Sequence, residues 1–331
     1  MTQTFAALVL NKQEEDFTVE VQKLTLSDLP YGEVLIRVHY SSVNYKDSLA
    51  TMPNGNIVNT YPFVPGIDLA GVVVSSENPH FQEGDEVIAT SYEIGVTHFG
   101  GYSEFARIPA KWIVPLPKGL TLKEAMIIGT AGFTAALSIQ RLEENNVSPE
   151  KGKVLVTGAT GGVGSFAVSI LSNLGYTVEA STGKEFEHDY LKNLGATSAV
   201  SREEIYDGKI RALGKQKWAA AIDPVGGEPL AALLSQIQYG GSVAASGLTA
   251  GTKLPTTVFP FILRGINLLG IDSVYCPMET RLKIWDRLST DFKPTNLVQL
   301  MQQEVTLAQL PTVLPTLLKA QARGRIIVKL S

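Results

Sequence analysis

The sequence predicts an α/β protein with two domains, the first rich in β-strands and the second built on a parallel β-sheet. Its 331 residues are enough for about two domains at ~150 residues each. Residues 1–120 contain short β-branched runs bounded by Gly, Pro, Asn or Ser, as strands are. After residue 150, strand and helix patterns alternate, which indicates right-handed βαβ crossovers and hence parallel strands.

The composition excludes several classes of protein. Hydrophobic residues make up 44% and charged residues 18% of the chain, which is too apolar for disorder. Lys and Arg number 28 against 32 Asp and Glu, so the net charge is -4 and the basic surplus of a nucleic-acid-binding protein is missing. The single cysteine, Cys276, can form neither an internal disulfide nor a thiolate zinc cluster. We therefore expect no nucleic-acid partner and no structural zinc.

The amino terminus and the apolar runs bear on where the protein resides. Residues 1–5 lack the basic start of a signal peptide. No apolar run approaches the ~20 residues that a membrane-spanning helix requires. We therefore expect a soluble, cytoplasmic protein with no membrane partner.

The elements of the first part follow from local patterns. Residues 34–38 and 70–74 are predicted strands, and a Gly-Asp turn at 84–85 leads into a further strand at 87–89. Alanines and larger apolar residues then dominate residues 122–142, as in a buried helix. The predicted strands belong to the β-rich domain, and the predicted helix follows it in the chain.

The second part is predicted from alternating periods. Strands are expected at 153–157, 176–180, 197–200, 219–222 and 242–245. Helices are expected at 163–174, at 229–237 and in a segment that ends at 192–195. The last stretch reads as a helix at 313–321 and a strand at 325–330.

A glycine-rich turn lies between the first strand and helix of this α/β part. Residues 158–164 read Gly-Ala-Thr-Gly-Gly-Val-Gly, and this variant of the G-x-G-x-x-G pattern has an alanine in the first glycine's place. Small residues let the backbone approach a pyrophosphate, whose charge is met by amide groups and the helix dipole. The turn predicts a dinucleotide site at Gly161, Gly162, Val163 and Gly164; the alternative is a tight turn without a ligand.

The end of the second strand indicates which dinucleotide binds. An NAD site usually has an acidic residue there, whereas this chain has Ser181, Thr182 and Lys184, whose hydroxyls and cation suit the 2′-phosphate of NADPH. Glu179 is interpreted as lying inside the strand, short of its carboxyl end. Arg202, after the next strand, is either a second ligand of the phosphate or a solvated surface residue. The sequence therefore favours NADPH over NADH.

Several motifs together resemble the medium-chain dehydrogenase/reductase superfamily. They follow one another in the order typical of that superfamily, from about residue 30 to the carboxyl terminus. Their sequences are VPGIDLAG at 64–71, GDEV at 84–87, GGYSE at 100–104, GTAGFTA at 129–135, the glycine turn, IDPVG at 222–226 and GR at 324–325. The segments SVNYKD at 42–47 and PFILR at 260–264 resemble its zinc-free quinone oxidoreductase branch, and within it the acrylyl-CoA reductase subgroup.

The resemblance implies a specific domain organisation. A GroES-like catalytic domain would comprise residues 1–126 and 296–331, and a Rossmann NADPH-binding domain residues 127–295. The carboxyl-terminal segment would thus return to the first domain.

The resemblance also implies that the chain has no catalytic zinc. The zinc alcohol dehydrogenases carry Cys where this chain has Asn44, and Gly-His-Glu where it has Gly66, Ile67 and Asp68. Hydride addition to an activated double bond or a quinone needs no Lewis acid, because an adjacent carbonyl takes up the charge. We therefore expect an NADPH-dependent reductase of a short enoyl-CoA, such as acrylyl-CoA, or of a quinone. The alternative is a non-catalytic NADPH-binding sensor or structural protein.

The resemblance points to candidate catalytic residues and nicotinamide contacts. Tyr45 is the leading candidate donor to the substrate or to the nicotinamide carboxamide, and its alternative is a packed tyrosine that lines the cleft. Asn44 would orient the substrate or the nicotinamide, whereas Asp47 would bond the backbone and fix the loop. Thr130 either contacts the nicotinamide end or caps a helix. Ser246, with Gly247, follows a Rossmann strand at the edge where ligands bind.

Two further expectations concern the carboxyl-terminal half. Arg325 either helps to hold the closed cleft around the cofactor or forms a purely structural ion pair. Residues 265–271 are predicted to form an apolar edge strand, and an exposed edge is usually covered. Relatives pair such strands across a two-fold axis, so we expect a homodimer, with a helix-covered monomer as the alternative.

Overall fold

The fold is that of a computed structural model, which describes residues 4–14, 16–319 and 322–330. The chain divides into two compact units. The first consists of Met1–Thr130, Val274–Ser289 and Asn296–Ser331, and the second of Ala131–Ser273 and Thr290–Thr295. The expectation about the amino-terminal residues 1–3 and the predicted helix end at 320–321 lie outside the described residues.

The strands, numbered along the chain, are β1 (Thr4–Gln13), β2 (Asp16–Thr25), β3 (Val34–Val43), β4 (Asp68–Ser76), β5 (Glu86–Thr90), β6 (Phe105–Ile108), β7 (Ile113–Pro115), β8 (Val154–Val156), β9 (Val178–Ser181), β10 (Ser198–Val200), β11 (Trp218–Asp223), β12 (Ile237–Ala245), β13 (Asn267–Gly270), β14 (Met301–Thr306) and β15 (Arg325–Lys329). The α-helices are α1 (Tyr45–Ala50), α2 (Leu122–Glu144), α3 (Gly162–Asn173), α4 (His188–Asn193), α5 (Gly227–Leu234), α6 (Phe259–Arg264), α7 (Met278–Ser289) and α8 (Leu310–Leu318). Short 3₁₀ turns occupy Leu26–Asp28, Ala110–Trp112, Pro149–Lys151, Glu185–Glu187, Leu297–Leu300 and Leu307–Gln309.

The first unit is built on a sheet with the strand order β14-β15-β3-β4-β5-β7, in which β6 also pairs with β3. Strand β15 runs antiparallel to β3 and pairs Ile326 with Val43. The carboxyl-terminal segment therefore returns to the first unit, as the resemblance implied. Strands β1 and β2 form a separate antiparallel hairpin, which the sequence analysis left unassigned. The core of the sheet is aliphatic and includes Val34, Ile36 and Leu69.

The second unit is built on a parallel sheet with the order β10-β9-β8-β11-β12-β13. All the predicted strands of this part are present, although β12 begins earlier than expected, at Ile237. The reason is that Gly240, with φ +72°, lets the strand bend and continue. Helix α3 packs its fully buried Phe166, Val168 and Ile170 into the core. The chain thus forms an α/β fold with a doubly wound sheet, as predicted.

The compact units differ from the predicted domain ranges at residues 127–130, which belong to the first unit, and at one longer segment. Residues Val274–Ser289, which include α7, belong to the first unit although they lie within the predicted Rossmann range 127–295. Arg281 in this segment is fully buried and donates to Thr90 Oγ1 (3.1 Å) and to the carbonyl of Val274 (3.1 Å). Its guanidinium also lies 4.5 Å from the ring centroid of Tyr92. These contacts tie the segment to the first unit.

One expectation from the sequence needs correction. Helix α2, with 23 residues, is long and apolar enough to cross a membrane by length and composition alone, so the expectation that no apolar run approaches that length was wrong. The most apolar 18-residue stretch of α2 is 83% buried within the chain, as in the core helix of a globular protein. Gly129, with φ 49° and ψ -160°, also breaks the helix internally. The length of this apolar segment is hard to recognise from the sequence, because the break and the interspersed small residues divide its apolar pattern.

Candidate functional site

The first candidate site lies where β3 ends and α1 begins. Asn44 is buried, and its backbone N–H donates to Asp47 Oδ2 over 2.9 Å. Asp47 Oδ1 accepts the backbone N–H of Ile67 over 2.9 Å. The Asp47 carboxylate therefore fixes the loop by bonding its backbone, as the sequence analysis expected. This places Tyr45 on the first residue of α1, where it is 44% exposed.

The carboxylate of Asp68, at the start of β4, is the centre of this site. It is fully buried and accepts hydrogen bonds from Ser42 Oγ (2.5 Å) and Asn44 Nδ2 (2.8 Å). Thr130 donates to both of its oxygens, through the hydroxyl (2.5 Å) and through the backbone N–H (2.9 Å). A buried carboxylate needs such donors because it has lost its hydration. Asp68 thereby holds together the end of β3, the start of β4 and the break in α2.

Arg325 completes this cluster from β15. Its Nη2 lies 3.7 Å from Asp68 Oδ2 and donates to Ser42 Oγ over 2.8 Å. Its Nη1 donates to Asn44 Oδ1 over 3.0 Å, and its Nε to the carbonyl of Ile127 over 3.1 Å. The side chain is 3% exposed. These contacts match the ion-pair alternative for Arg325, while its direct contact with a cofactor stays a prediction.

Thr130 lies directly after the break in α2. A Cβ at position 129 would come within 2.7 Å of Arg325 Nη2, Asp68 Oδ2 and Ser42 Oγ, so only glycine fits beside the cluster. The left-handed φ of Gly129 also turns the chain so that the amide and the hydroxyl of Thr130 reach Asp68. Thr130 is half-buried, and its contact with a nicotinamide ring stays a prediction.

Asp47 and Tyr102 share the buried surroundings of this cluster. Burial, with a further contribution from the negative charge of Asp68, raises the pKa of the Asp47 carboxyl from 3.8 to about 7. Burial also raises the pKa of the Tyr102 phenol, which donates to the carbonyl of Ser42 over 3.2 Å. The loop that carries Asn44 and Tyr45 therefore depends on a carboxyl group that titrates near neutral pH.

The second candidate site is the glycine-rich turn of the second unit. Gly158 has φ +53°, and Gly161 stands directly before α3, whose first residues are Gly162, Val163 and Gly164. The amide groups of a helix's first turn have no partner within the helix and favour a phosphate. A Cβ at Gly164 would lie 2.4 Å from the carbonyl oxygen of Gly158, so this glycine permits the close packing that the turn requires.

The end of β9 lies beside this turn. Ala159 N–H donates to the carbonyl of Ser181 (3.0 Å), and the hydroxyls of Thr160 and Thr182 are 3.4 Å apart. A Cβ at Gly183 would lie 2.6 Å from Arg202 Cζ, which shows that the exposed Arg202 side chain rests on this backbone. The structure thus brings Ser181, Thr182 and Arg202 together, with Lys184 bonding Thr182 Oγ1 through its backbone N–H (3.1 Å).

Glu179 lies inside β9 and not at its carboxyl end, as predicted from the sequence. It is the second residue of β9 and bonds Lys153 Nζ (2.6 Å) and Trp218 Nε1 (2.7 Å). Its carboxylate therefore has two partners and lies before the carboxyl end of the strand. The residues at that end are Ser181 and Thr182, which are neutral donors and acceptors.

The carboxyl ends of β8, β11 and β12 are joined by Asp223. This buried carboxylate accepts from Thr157 Oγ1 (2.5 Å) and from the N–H of Gly226 (2.7 Å), and its backbone carbonyl accepts the N–H of Ser246 (2.9 Å). Ser246 Oγ is buried without a hydrogen-bond partner among the described residues, and its contact with a cofactor stays a prediction. Gly247 is packed so closely that a Cβ would lie 2.1 Å from the carbonyl oxygen of Pro224.

Sequence reasoning missed the two buried aspartates as organising groups. Asp68 was considered only as a residue in a zinc-ligand position, and Asp223 only as part of a motif. The signal available was an aspartate at the first or last position of a strongly apolar strand, because such a carboxylate must find donors when it is buried. Among the described residues, no group of three or more His, Cys, Asp or Glu is placed to hold a metal ion.

The fold and the two sites define a dehydrogenase-type chain, and comparisons with known proteins agree. Residues 30–118 match the alcohol dehydrogenase GroES-like domain, and residues 162–289 match the family described as zinc-binding dehydrogenase. The chain is 58% identical, over 100% of both chains, to YhfP of Bacillus subtilis (strain 168), which is named as a quinone oxidoreductase. It is 49% identical to the acrylyl-CoA reductase AcuI of Ruegeria pomeroyi, over 98% of both chains.

Solved structures show the same fold with nicotinamide dinucleotides. The crystal structure of B. subtilis yhfP with NAD bound superposes with a TM-score of 0.98 at 58% identity, covering 99% of this chain and 100% of that chain. The yhdH oxidoreductase of Salmonella enterica in complex with NADP superposes with a TM-score of 0.96 at 48% identity, covering 98% and 100%. The chain belongs to the quinone oxidoreductase and acrylyl-CoA reductase subgroup of the medium-chain dehydrogenase/reductase superfamily, a group of oxidoreductases.

The raised pKa of Asp47 predicts how stability depends on pH. The folded protein keeps a proton on Asp47 that the unfolded chain releases, so the free energy of unfolding falls as the pH rises from 3.8 to about 7 and levels off above that. Asp47→Asn has no such proton and is expected to show a smaller fall. Urea unfolding midpoints between about pH 4 and pH 8 measure this difference.

Asp189→Asn is a matched control, because that carboxylate is 93% exposed and its removal should preserve the wild-type fall. An Asp47→Asn profile parallel to that of the wild type would contradict the assignment.

Proposed function

We propose that this chain is a zinc-independent, NADPH-dependent reductase that transfers hydride to the activated C=C bond of a short enoyl thioester such as acrylyl-CoA. A quinone is the second candidate acceptor, favoured by the name of the 58%-identical YhfP. The observation that carries the proposal is Tyr45, a tyrosine at the start of α1 that is 44% exposed and for which no side-chain hydrogen bond is found among the described residues. The backbone next to Tyr45 is fixed by Asp47, and the Tyr45 phenol is left to donate to a reacting oxygen.

The residues of the second unit fit NADPH. The amides of Gly162 and Val163 would hold the pyrophosphate, and Thr182 with Arg202 would hold the 2′-phosphate. The buried hydroxyl of Ser246, which has no partner among the described residues, would meet a polar group of the cofactor. When bound, NADPH supplies a hydride from C4 of its nicotinamide ring.

The residues of the first unit would act on the substrate. Negative charge develops on the thioester carbonyl oxygen when hydride adds to the β-carbon, and the Tyr45 hydroxyl would donate a hydrogen bond to that oxygen. A proton from a donor or from water would then reach the α-carbon and complete the reduction. Asn44 is not available to donate to the carbonyl oxygen, because its amide already bonds Asp68 and Arg325. Its role is therefore to position the start of α1, and hence Tyr45.

The function is tested by the loss of NADPH absorbance with acrylyl-CoA, crotonyl-CoA and a benzoquinone in parallel assays. We expect the enoyl-CoA substrates to be reduced faster than the quinone. Tyr45→Phe should lower kcat by about 100-fold, as the loss of one donor to a developing oxyanion does. Tyr31→Phe, at a tyrosine that is 75% exposed, serves as the matched control.

Two results would count against this function. Faster turnover of the quinone would establish the quinone acceptor instead. Tight NADPH binding without turnover of any acceptor would favour the alternative of a non-catalytic NADPH sensor or structural protein.

The choice of NADPH over NADH is predicted to depend on Arg202. Replacing Arg202 by Gln removes a charged donor to the 2′-phosphate, so the KM for NADPH should rise by about 10- to 100-fold while that for NADH changes little. Steady-state kinetics with each cofactor measure the ratio. Arg211→Gln is the control, since Arg211 is an exposed arginine paired with Asp207 over 2.8 Å. An unchanged ratio in Arg202→Gln would contradict the 2′-phosphate assignment.

We propose that two copies of the chain pair through β13 and α6. Strand β13 is the edge of the parallel sheet, and α6, which contacts the neighbouring strand β12, exposes Ile262 (69%) and Leu263 (55%). An apolar edge of this kind is usually covered by another strand or chain. Multi-angle light scattering should give a dimer for the wild type and a monomer for Ile262→Asp. Phe186→Asp, at another exposed apolar residue (82%), should remain dimeric, and a monomeric wild type would overturn the proposal.

A further inference from the structure

The loop that joins β10 to β11 carries Arg202 near its start. Residues 201–217 make up this β10–β11 loop, which the structure describes throughout and which contains neither helix nor strand. Loops longer than about 12–15 residues with no secondary structure of their own are uncommon, and they are usually either functional or disordered. The position of this loop must therefore come from contacts with the elements around it.

The first turn of the β10–β11 loop is anchored along α5. The carbonyl of Arg202 accepts the backbone N–H of Ile205 (3.1 Å) and that of Tyr206 (2.9 Å). The side chain of Ile205 is buried in the core of the second unit, and its carbonyl accepts from Nε2 of the buried Gln236 over 2.7 Å. The Tyr206 hydroxyl donates to the carboxylate of Glu228, in the first turn of α5. The backbone of Arg202 is thus held from both ends of α5.

Arg264, the last residue of α6, holds the second half of the loop. Its Nη2 donates to the carbonyl of Gly214 over 2.6 Å, and its Nη1 to the carbonyl of Ser235 over 2.7 Å. Ser235 is the C-cap of α5, and its carbonyl also accepts the N–H of Gly214 over 2.8 Å. The N–H and the carbonyl of Gly214 are therefore both tied to the end of α5, the carbonyl through Arg264.

The guanidinium of Arg264 is committed to the fold. The side chain is half-buried, and its Nη1 also lies 3.4 Å from the carbonyl of Ile237, the first residue of β12. One guanidinium thus bonds backbone carbonyls of a loop, a helix end and a strand, which its planar fork of donors can reach at once. Arg264 is therefore occupied by the chain itself.

Arg202 has the opposite character. Its side chain is exposed and rests on the backbone at Gly183, where a Cβ would lie 2.6 Å from Arg202 Cζ. No hydrogen bond or ion pair of this guanidinium is found in the part of the chain that the structure describes. An arginine with free donors on a fixed backbone loses less conformational freedom when it binds an anion than one on a mobile loop.

We propose that Arg264 is a positioning residue for the selection of NADPH: it holds the β10–β11 loop against α5 and so presents Arg202 to the 2′-phosphate. The inference rests on the NADPH assignment of the proposed function and deepens it, because it names a residue that sets cofactor preference without touching the cofactor. The effect of Arg264 must then pass through Arg202.

The first measurement compares the binding of adenosine 2′,5′-bisphosphate with that of 5′-AMP, which lacks only the 2′-phosphate. Isothermal titration calorimetry gives both dissociation constants without turnover. Arg264→Gln should weaken the binding of the bisphosphate by about three- to tenfold, the effect of having to order one long side chain on binding, and change that of 5′-AMP little. Arg264→Lys keeps the charge but not the fork of donors, so it should restore part of the preference.

A double-mutant cycle decides whether Arg264 acts through Arg202. In an Arg202→Gln background, Arg264→Gln should have little further effect on the bisphosphate, because the residue that it positions is missing. A loss of the same size in both backgrounds would mean that Arg264 acts on the fold alone and would overturn the inference. Arg211→Gln, in the same loop, is the control, because Arg211 pairs with Asp207 over 2.8 Å, and it should bind both nucleotides as the wild type does.

Circular dichroism and light scattering show whether Arg264→Gln keeps the fold and the oligomeric state of the wild type, and Arg264→Lys takes its place in the cycle if it does not. An unchanged preference for the bisphosphate in the folded variant would overturn the inference and leave the proposed reductase standing. If the preference depends on both arginines but no acceptor is reduced, the inference holds and the proposed reductase fails. If the wild type binds both nucleotides equally, the inference and the NADPH assignment fail together.

Discussion

The first unit depends on the buried ion pair between Asp68 and Arg325. Each charge alone would be costly to bury, because a desolvated ion without a partner costs several kcal/mol, on the order of the stability of a whole domain. The pair is tolerated because donors from Ser42, Asn44 and Thr130 complete the coordination of the carboxylate. The ion pair therefore needs β15 to lie next to β3. It joins parts of the chain that are far apart, since Arg325 is 281 residues away from Asn44 in the sequence.

The second unit also has a buried carboxylate that is stabilised by hydrogen-bond donors, with fewer partners than Asp68 has. Asp223 is buried where β11 ends, and it accepts from a threonine hydroxyl at the end of β8 and from the amide of Gly226. Burial raises the pKa of Asp223, and the bonds from Thr157 and Gly226 oppose that rise. In both units a carboxylate at the first or last residue of a strand fixes the loops around it. The loops that carry the candidate site residues are thereby tied to the sheet.

The positions that hold zinc ligands in the alcohol dehydrogenases have a different use in this chain. Asn44 and Asp68 bond each other, and Arg325 bonds Asn44 and lies beside Asp68. A hydrogen-bond network thus gives the loop before Tyr45 the rigidity that a metal ion gives elsewhere. The difference matters for chemistry, because a network of this kind orients donors and acceptors, whereas a metal ion polarises an oxygen directly.

The sequence by itself determined the α/β class, the elements of the parallel sheet, the glycine turn and the position of Glu179 inside its strand. These follow from periodicity and turn chemistry, which act over a few residues. The return of the carboxyl-terminal strand was known only from the resemblance. Tertiary structure alone decided that α7 joins the first unit and that Asp68 and Asp223 organise the two sites. It also decided that the side-chain oxygen of Asn44 accepts a hydrogen bond from Arg325. Such contacts join residues far apart in the chain, and local patterns carry no signal for which distant donor a buried carboxylate will find.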